Sequence, residues 1–298
     1  MTDVWIIITA VLAASACALV GSFLVLRKQA MLSDAISHAV LPGIVIAFLL
    51  TSSRNTFPML IGAGAFGLLT VYLTDKLHSK GRIMHDSSMG IVFTTLFAIG
   101  VILVSLFATT VDLDLDCILF GEIAYVPWDR WTFNGLDMGP RPIWILGCVF
   151  LLNLLFVISC FKELQIYSFD KELAISMGIP LGLIHYGLMG SVSFSTIAAF
   201  ESVGAILVVA LIIVPPATAY LLTTDLKRML FLSVGIGALS ALSGYGLAVL
   251  FNVSISGSMA VMTGVFFALA LLFSPIEGLI TRKFRKTDVI SDYPTATT

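Results

Sequence analysis

Apolar residues run along this chain in long blocks separated by short polar connections. The blocks fall at 4–26, 31–50, 57–74, 88–108, 143–161, 183–200, 203–222, 230–250 and 258–274. Most approach the roughly 20 residues that an α-helix needs to cross a hydrocarbon core. In lipid every backbone N–H and C=O must be bonded within the protein, so repeated runs of this kind form a helical bundle. Strands of a membrane barrel would alternate polar and apolar residues over about 10 positions, and these do not. The pattern therefore predicts an all-α fold, a polytopic helical membrane bundle of eight or nine transmembrane helices. The count turns on 31–50. If it spans, there are nine crossings; if it is re-entrant, eight remain and the N-terminus changes sides. The membrane domain is expected to cover 1–286, with 287–298, "TDVISDYPTATT", as a disordered cytoplasmic tail.

Composition agrees with the pattern. The chain is 58% hydrophobic and 11% charged, where a soluble domain carries about 25% charged residues. A net charge of −2 with no basic stripe excludes a nucleic-acid partner. Cys17, Cys117, Cys148 and Cys160 form no CxxC pair, so neither a disulfide framework nor a zinc knuckle is indicated. "AASACA" within the first block resembles a signal-peptidase site, but the preceding "MTD" has no Lys or Arg. A retained spanning helix is the better reading.

Lys and Arg positions set the orientation, because cytoplasmic connections carry the excess of both. Nine crossings with the N-terminus outside leave only Arg54, Arg130 and Arg141 outside, of 16 basic residues. The longest outside connection, 109–142, is rich in acids and aromatics, including Tyr125, Trp128 and Trp131. It is either an interfacial aromatic belt with a solvated loop, or a docking surface for a soluble protein that delivers substrate.

Within the apolar blocks, Asp34, His38 and Glu201 stand out as ionisable groups away from loop flanks. Charge at membrane depth costs several kcal/mol and usually marks a pathway. Asp34 and His38 are spaced i,i+4 and share one helix face. Carboxylate and imidazole together suit a divalent first-row metal. Pro42 is expected to break the helix just beyond them, freeing carbonyls. A buried Asp–His hydrogen bond that only fixes packing would explain the pair alone. Glu201, followed by Gly204 and Pro215-Pro216, adds a third costly group on a separate helix, and the three together favour metal or proton handling. Gly204 is expected to let a neighbouring helix approach closely.

The segment 168–180, "SFDKELAISMGIP", has another character. Phe169, Leu173 and Met177 recur at helical spacing beside Asp170, Lys171 and Glu172, and Gly178 and Pro180 close the element. It is either a helix lying on the membrane surface or one that inserts into a groove of a cytoplasmic motor protein. The chain holds no Gly-Lys dipeptide and hence no Walker A loop, and no HExxH or GxSxG. Whatever energises this protein is not encoded in this chain.

"GSFLVLRKQAMLSDAISHAVLPGIVIAFLL", "SFDKELAISMGIP" and "AAFESVGAILVVALIIVPPATAYLLTTDLKRML" resemble, in that order, blocks of the membrane permease subunits of bacterial ABC importers for manganese, zinc and iron. The resemblance implies a multi-pass protein of the bacterial plasma (inner) membrane, paired with itself or a paralogue. It implies two cytoplasmic ATPase subunits and an extracytoplasmic metal-binding protein as partners. It implies no tightly bound cofactor, only a transported ion, and no enzymatic activity in this chain. "SDAISHA" would supply path contacts through Asp34 and His38. "FDKELA" would be the coupling helix, with Phe169, Asp170, Glu172, Ala174 and Gly178 serving the ATPase contact. The zinc branch often carries Lys where this chain has Glu201, so "AAFESVGAILVVA" looks more like the manganese or mixed branch. The extended 109–142 connection departs from the family pattern and leaves partner docking there open.

The leading expectation is thus an importer permease in which Asp34, His38 and Glu201 form a transient site for a divalent metal, weak enough to release it. A proton-coupled secondary transporter would use the same acids but leaves 168–180 without a job. An intramembrane enzyme lacks a paired nucleophile and base.

Overall fold

The computed structural model describes residues 2–51, 56–107, 123–133, 136–274 and Gly278. Eleven α-helices occur among them: α1 (Thr2–Leu26), α2 (Leu32–Thr51), α3 (Thr56–Gly81), α4 (His85–Phe107), α5 (Arg141–Ser159), α6 (Phe161–Phe169), α7 (Lys171–Ser176), α8 (Leu181–Val203), α9 (Ala205–Leu222), α10 (Leu226–Phe251) and α11 (Ile255–Phe273). All except α6 and α7 are long and apolar enough to cross a membrane, which makes nine candidate spans among the described residues. From Leu32 on, the segment 31–50 lies in one continuous helix, α2, that is long and apolar enough to cross. The tail 287–298 lies outside the described residues.

Local signals set the helix ends. Asp170, Asp225 and Ser254 cap α7, α10 and α11 by accepting backbone N–H groups of Leu173, Lys227 and Gly257. Pro142 sits in the first turn of α5, where its missing N–H has no partner to lose. Asn252 ends α10 in the left-handed conformation that Asn tolerates.

Helix α1 lies at the centre, buried along most of its length and packed against α5, α8, α9 and α10. Lipid gives helices no hydrophobic reason to associate, so close packing of small residues and interhelical hydrogen bonds hold them. Gly21 meets the Ile212 backbone so closely that a Cβ has no room. Gly43 of α2 and Gly62 of α3 face each other in the same manner. The buried Ser22 and Ser233 hydroxyls meet at 2.9 Å between α1 and α10, and Asn153 donates to Ser195 at 2.6 Å between α5 and α8.

Pro42 does not break α2; the helix runs through it to Thr51. Its ring packs against Gly100 of α4, where the absent side chain leaves space. Neighbouring helices can stabilise a proline that would disrupt a helix in water. Pro215 and Pro216 likewise lie inside a continuous α9.

The connection 109–142 is described in part. A short 3-10 helix (Ile123–Trp128) leads into a two-stranded antiparallel hairpin, β1 (Arg130–Phe133) and β2 (Leu136–Pro140). This hairpin is a local exception to the all-helical expectation. Trp144 donates to the Met138 carbonyl at 3.0 Å and packs edge-on against Trp131, which ties the hairpin to α5.

Candidate metal path and coupling helix

Asp34 and His38 occupy the first turns of α2, and their side chains converge. His38 Nε2 lies 3.6 Å from Asp34 Oδ1, with the two side chains 37% and 35% exposed in the single chain. Phe93 and Phe97 of α4 flank the imidazole, each with its ring centroid 5.9 Å away. This half-exposed setting leaves both groups reachable by an ion while the aromatic rings hold the imidazole in place.

Glu201 lies in the last turn of α8 and is exposed. Relative depths follow from packing against α3. Gly67 of α3 faces both Ile36 of α2 and Ser193 of α8, and α2 and α8 run in the same direction. At 1.5 Å rise per residue, Glu201 stands about 9 Å beyond His38 along the bundle axis. Among the described residues no three His, Cys, Asp or Glu side chains are gathered as a formed metal site. Asp34 and His38 are thus brought together, and Glu201 stands apart, nearer the other end.

Gly204 serves a different end from the one expected. With φ +83° and ψ +161° it makes the single-residue turn between α8 and α9. Glycine alone occupies this region without strain. Glu201 therefore closes one helix and does not open the next.

Asp170 and Gly178 bracket the short helix α7. The Asp170 carboxylate accepts from Leu173 N at 2.9 Å. At the other end Gly178, at φ +73°, forms a Schellman closure: Ile179 N–H reaches Ala174 O at 3.1 Å and Gly178 N–H reaches Ile175 O at 3.0 Å. Ala174 is buried, while Phe169, Glu172, Leu173, Ile175 and Met177 are exposed. The segment Phe169–Met177, α7 with its flanking residues, presents four large apolar side chains and a carboxylate outward and is poised to be covered.

Sequence reasoning passed over one group. Asp75, His85 and His185 belong to three helices and converge at the end of the bundle that also holds Lys76, Lys80 and Arg82. Asp75 falls beyond the end of its apolar block and reads as a solvated helix end. Only its partner, 110 residues away, distinguishes it. Beside the group, Arg27 donates to the Tyr167 hydroxyl at 2.8 Å and stacks over its ring. Burial pulls the Arg27 pKa below its ordinary value, against the pull of Tyr167 and Asp75, and burial pushes the Tyr167 phenol up.

Nine candidate spans among the described residues, with an Asp–His pair on one of them and a short exposed helix beside the basic end, define a multi-pass membrane protein. More particularly, the chain belongs to the ABC 3 transport family, which it matches over residues 2–274. It is 55% identical over 283 residues to the manganese transport system membrane protein MntD of Bacillus subtilis (strain 168), covering 95% of this chain and 96% of the relative. It is 45% identical over 277 residues to the zinc transport system membrane protein TroD of Treponema pallidum (strain Nichols), covering 93% and 75%. The fold matches PsaBC from Streptococcus pneumoniae, solved in complex with Fab, at a TM-score of 0.77 and 34% identity over 93% of this chain and 94% of that one. The chain is a membrane permease subunit of an ABC transporter, and not itself an ATPase.

Proposed function

We propose that this permease carries divalent transition-metal ions into the cell, manganese foremost, driven by ATP hydrolysis in a separate cytoplasmic ATPase. The carrying observation is the Asp34–His38 pair, 3.6 Å apart on a spanning helix and half-open. One carboxylate and one imidazole give a mixed O/N donor set suited to Mn, Fe or Zn, and a partial set suits an ion that must leave again. The likeness to a relative named for manganese transport supports manganese over zinc. Glu201, about 9 Å away along the axis, acts as a separate step on the same path, so the ion passes from one weak site to the next. An extracytoplasmic binding protein supplies the ion, and a second permease subunit completes the channel. Phe169, Asp170, Glu172, Ala174 and Gly178 belong to the element that meets the ATPase.

Radiolabelled manganese uptake by cells carrying Asp34→Asn or His38→Ala tests the reading. Each variant should abolish uptake, with unchanged protein in the membrane. Wild-type uptake by both would make the pair a packing contact and refute the site.

A further inference from the structure

A basic cavity beside Asp75 adjoins an apolar groove. The cavity measures about 490 Å³ and the groove about 840 Å³, and Tyr186 of α8 lines both. We propose that this face holds one anionic phospholipid, its phosphate in the basic cavity and an acyl chain in the groove. Asp34, His38 and Glu201 line neither, so the site is separate from the ion path proposed above.

Charge selects the head. Arg27, Lys76 and Lys171 line the cavity against one carboxylate, Asp75, which His185 engages at 2.8 Å. No salt bridge holds Lys76 or Lys171 among the described residues. Arg27 commits one nitrogen, Nη2, to the Tyr167 hydroxyl and His185. Its buried Nη1 has no hydrogen-bond partner among the described residues. Buried donors are normally satisfied, and a phosphate oxygen is an acceptor that a guanidinium matches well. Gln29 Oε1, at the same cavity, is also buried and unpartnered, and it needs a donor. The hydroxyls of a phosphoglycerol headgroup supply one. A choline or ethanolamine head would instead bring its own cation against two lysines.

Position selects a lipid over a free ion. Tyr72 and Tyr186 line the cavity and are exposed, as aromatic residues are where headgroups meet hydrocarbon. Lys76 Nζ stands 5.4 Å from the Tyr72 ring centroid. From Tyr186 the groove follows α8 past Gly187 and Gly190 to Phe194, about 12 Å at 1.5 Å rise per residue. That is most of one leaflet's share of a hydrocarbon core about 30 Å thick. Leu60 of α3 and Leu152 of α5 wall it, and the two glycines let a chain lie against the α8 backbone. Basic pockets between spanning helices are a recurring seat for anionic lipid heads. Arg27 follows α1, Lys76 belongs to α3 and Lys171 opens α7, so one phosphate ties three elements and steadies the base of α7.

Native mass spectrometry of the assembled permease–ATPase complex tests the site, with dioleoylphosphatidylglycerol, dioleoylphosphatidylcholine or inorganic phosphate added at matched concentration. One phosphatidylglycerol should bind per permease chain. Arg27 and Asp75 offset each other, and each lysine contributes about fivefold, so it should bind about 25-fold more tightly than phosphatidylcholine. Lys76→Gln/Lys171→Gln should erase that preference. Asp75→Asn removes the opposing charge and should tighten phosphatidylglycerol about fivefold, a gain that misfolding cannot mimic. A Cβ on Gly190 stands 3.7 Å from Leu68, an ordinary contact. Gly190→Leu should therefore fold, fill the groove and weaken phosphatidylglycerol severalfold while the ATPase still co-purifies. Equal retention of the two lipids, or no tightening in Asp75→Asn, overturns the site. Displacement of phosphatidylglycerol by inorganic phosphate, with undiminished lipid binding by Gly190→Leu, would make it a free-anion site and overturn the lipid. Cys148 lines the groove and is exposed. A Cys148–Cys148 disulfide between two permease chains under mild oxidation would seat a second copy there and overturn the lipid equally.

Discussion

Glu201 shows how much a single side chain's meaning depends on where its helix stops. In the sequence it is an acid between apolar blocks, and Gly204 after it looks like a contact point for another helix. In the fold Gly204 is a turn at φ +83°, and Glu201 is exposed one turn before it. The residue type was legible and its depth was not, because only tertiary packing fixes where α8 ends relative to α2. On the path proposed above, an exposed carboxylate at this end would attract the ion and hold it weakly. Glu201→Lys should therefore suppress manganese uptake well beyond Glu201→Gln, since lysine repels the ion while glutamine only ceases to attract it. Radiolabelled manganese uptake by both variants at matched membrane levels checks this. Equal uptake by the two variants and the unaltered protein would remove Glu201 from the path.

At the level of elements, the apolar blocks gave good positions for all nine spans because lipid demands long uninterrupted runs. Where the helices were expected to break was less legible. The sequence predicts a break at Pro42, yet α2 continues through it, as α9 does through Pro215 and Pro216. Gly100 makes room for the Pro42 ring, and that contact lies 58 positions away from it in sequence. Helix α7 was readable to its ends, because its cap and its closure are local: Asp170 at one end, Gly178 at the other. Its residues then divide by role. Asp170→Ala removes the cap and should destabilise this element by about 1 kcal/mol. Glu172 is exposed, so Glu172→Lys should leave the fold unchanged but weaken ATPase attachment or uncouple hydrolysis from transport. Thermal melting should separate the two, with no loss for Glu172→Lys, and co-purification of the ATPase should report the second effect. Full ATPase recovery with normal metal-stimulated hydrolysis in Glu172→Lys would remove it from the contact.

Across the whole molecule, what could not be read from the sequence is what converges. Asp75 and His185 are 110 positions apart and hydrogen-bonded; no window along the chain contains both. Orientation, in contrast, is a global property that the sequence does encode, because it depends on the sum of Lys and Arg in each set of connections. Nine crossings by the candidate spans among the described residues put the start of α1 and the end of α11 on opposite sides. The basic connections Arg27–Lys28, Lys76–Arg82 and Lys227–Arg228 then fall on one side, where α7 and the Asp75 group also lie. An N-terminus inside would put those residues outside, against the charge bias, and would turn α7 away from any cytoplasmic ATPase. Single-cysteine labelling decides it. With Cys17, Cys117, Cys148 and Cys160 changed to Ala, Thr2→Cys and Lys80→Cys introduce exposed thiols near opposite ends of the bundle. A membrane-impermeant maleimide should label Thr2→Cys on intact cells and Lys80→Cys only after the cells are opened. The reverse pattern would invert the molecule and place α7 and the Asp75–His185 contact on the outer side.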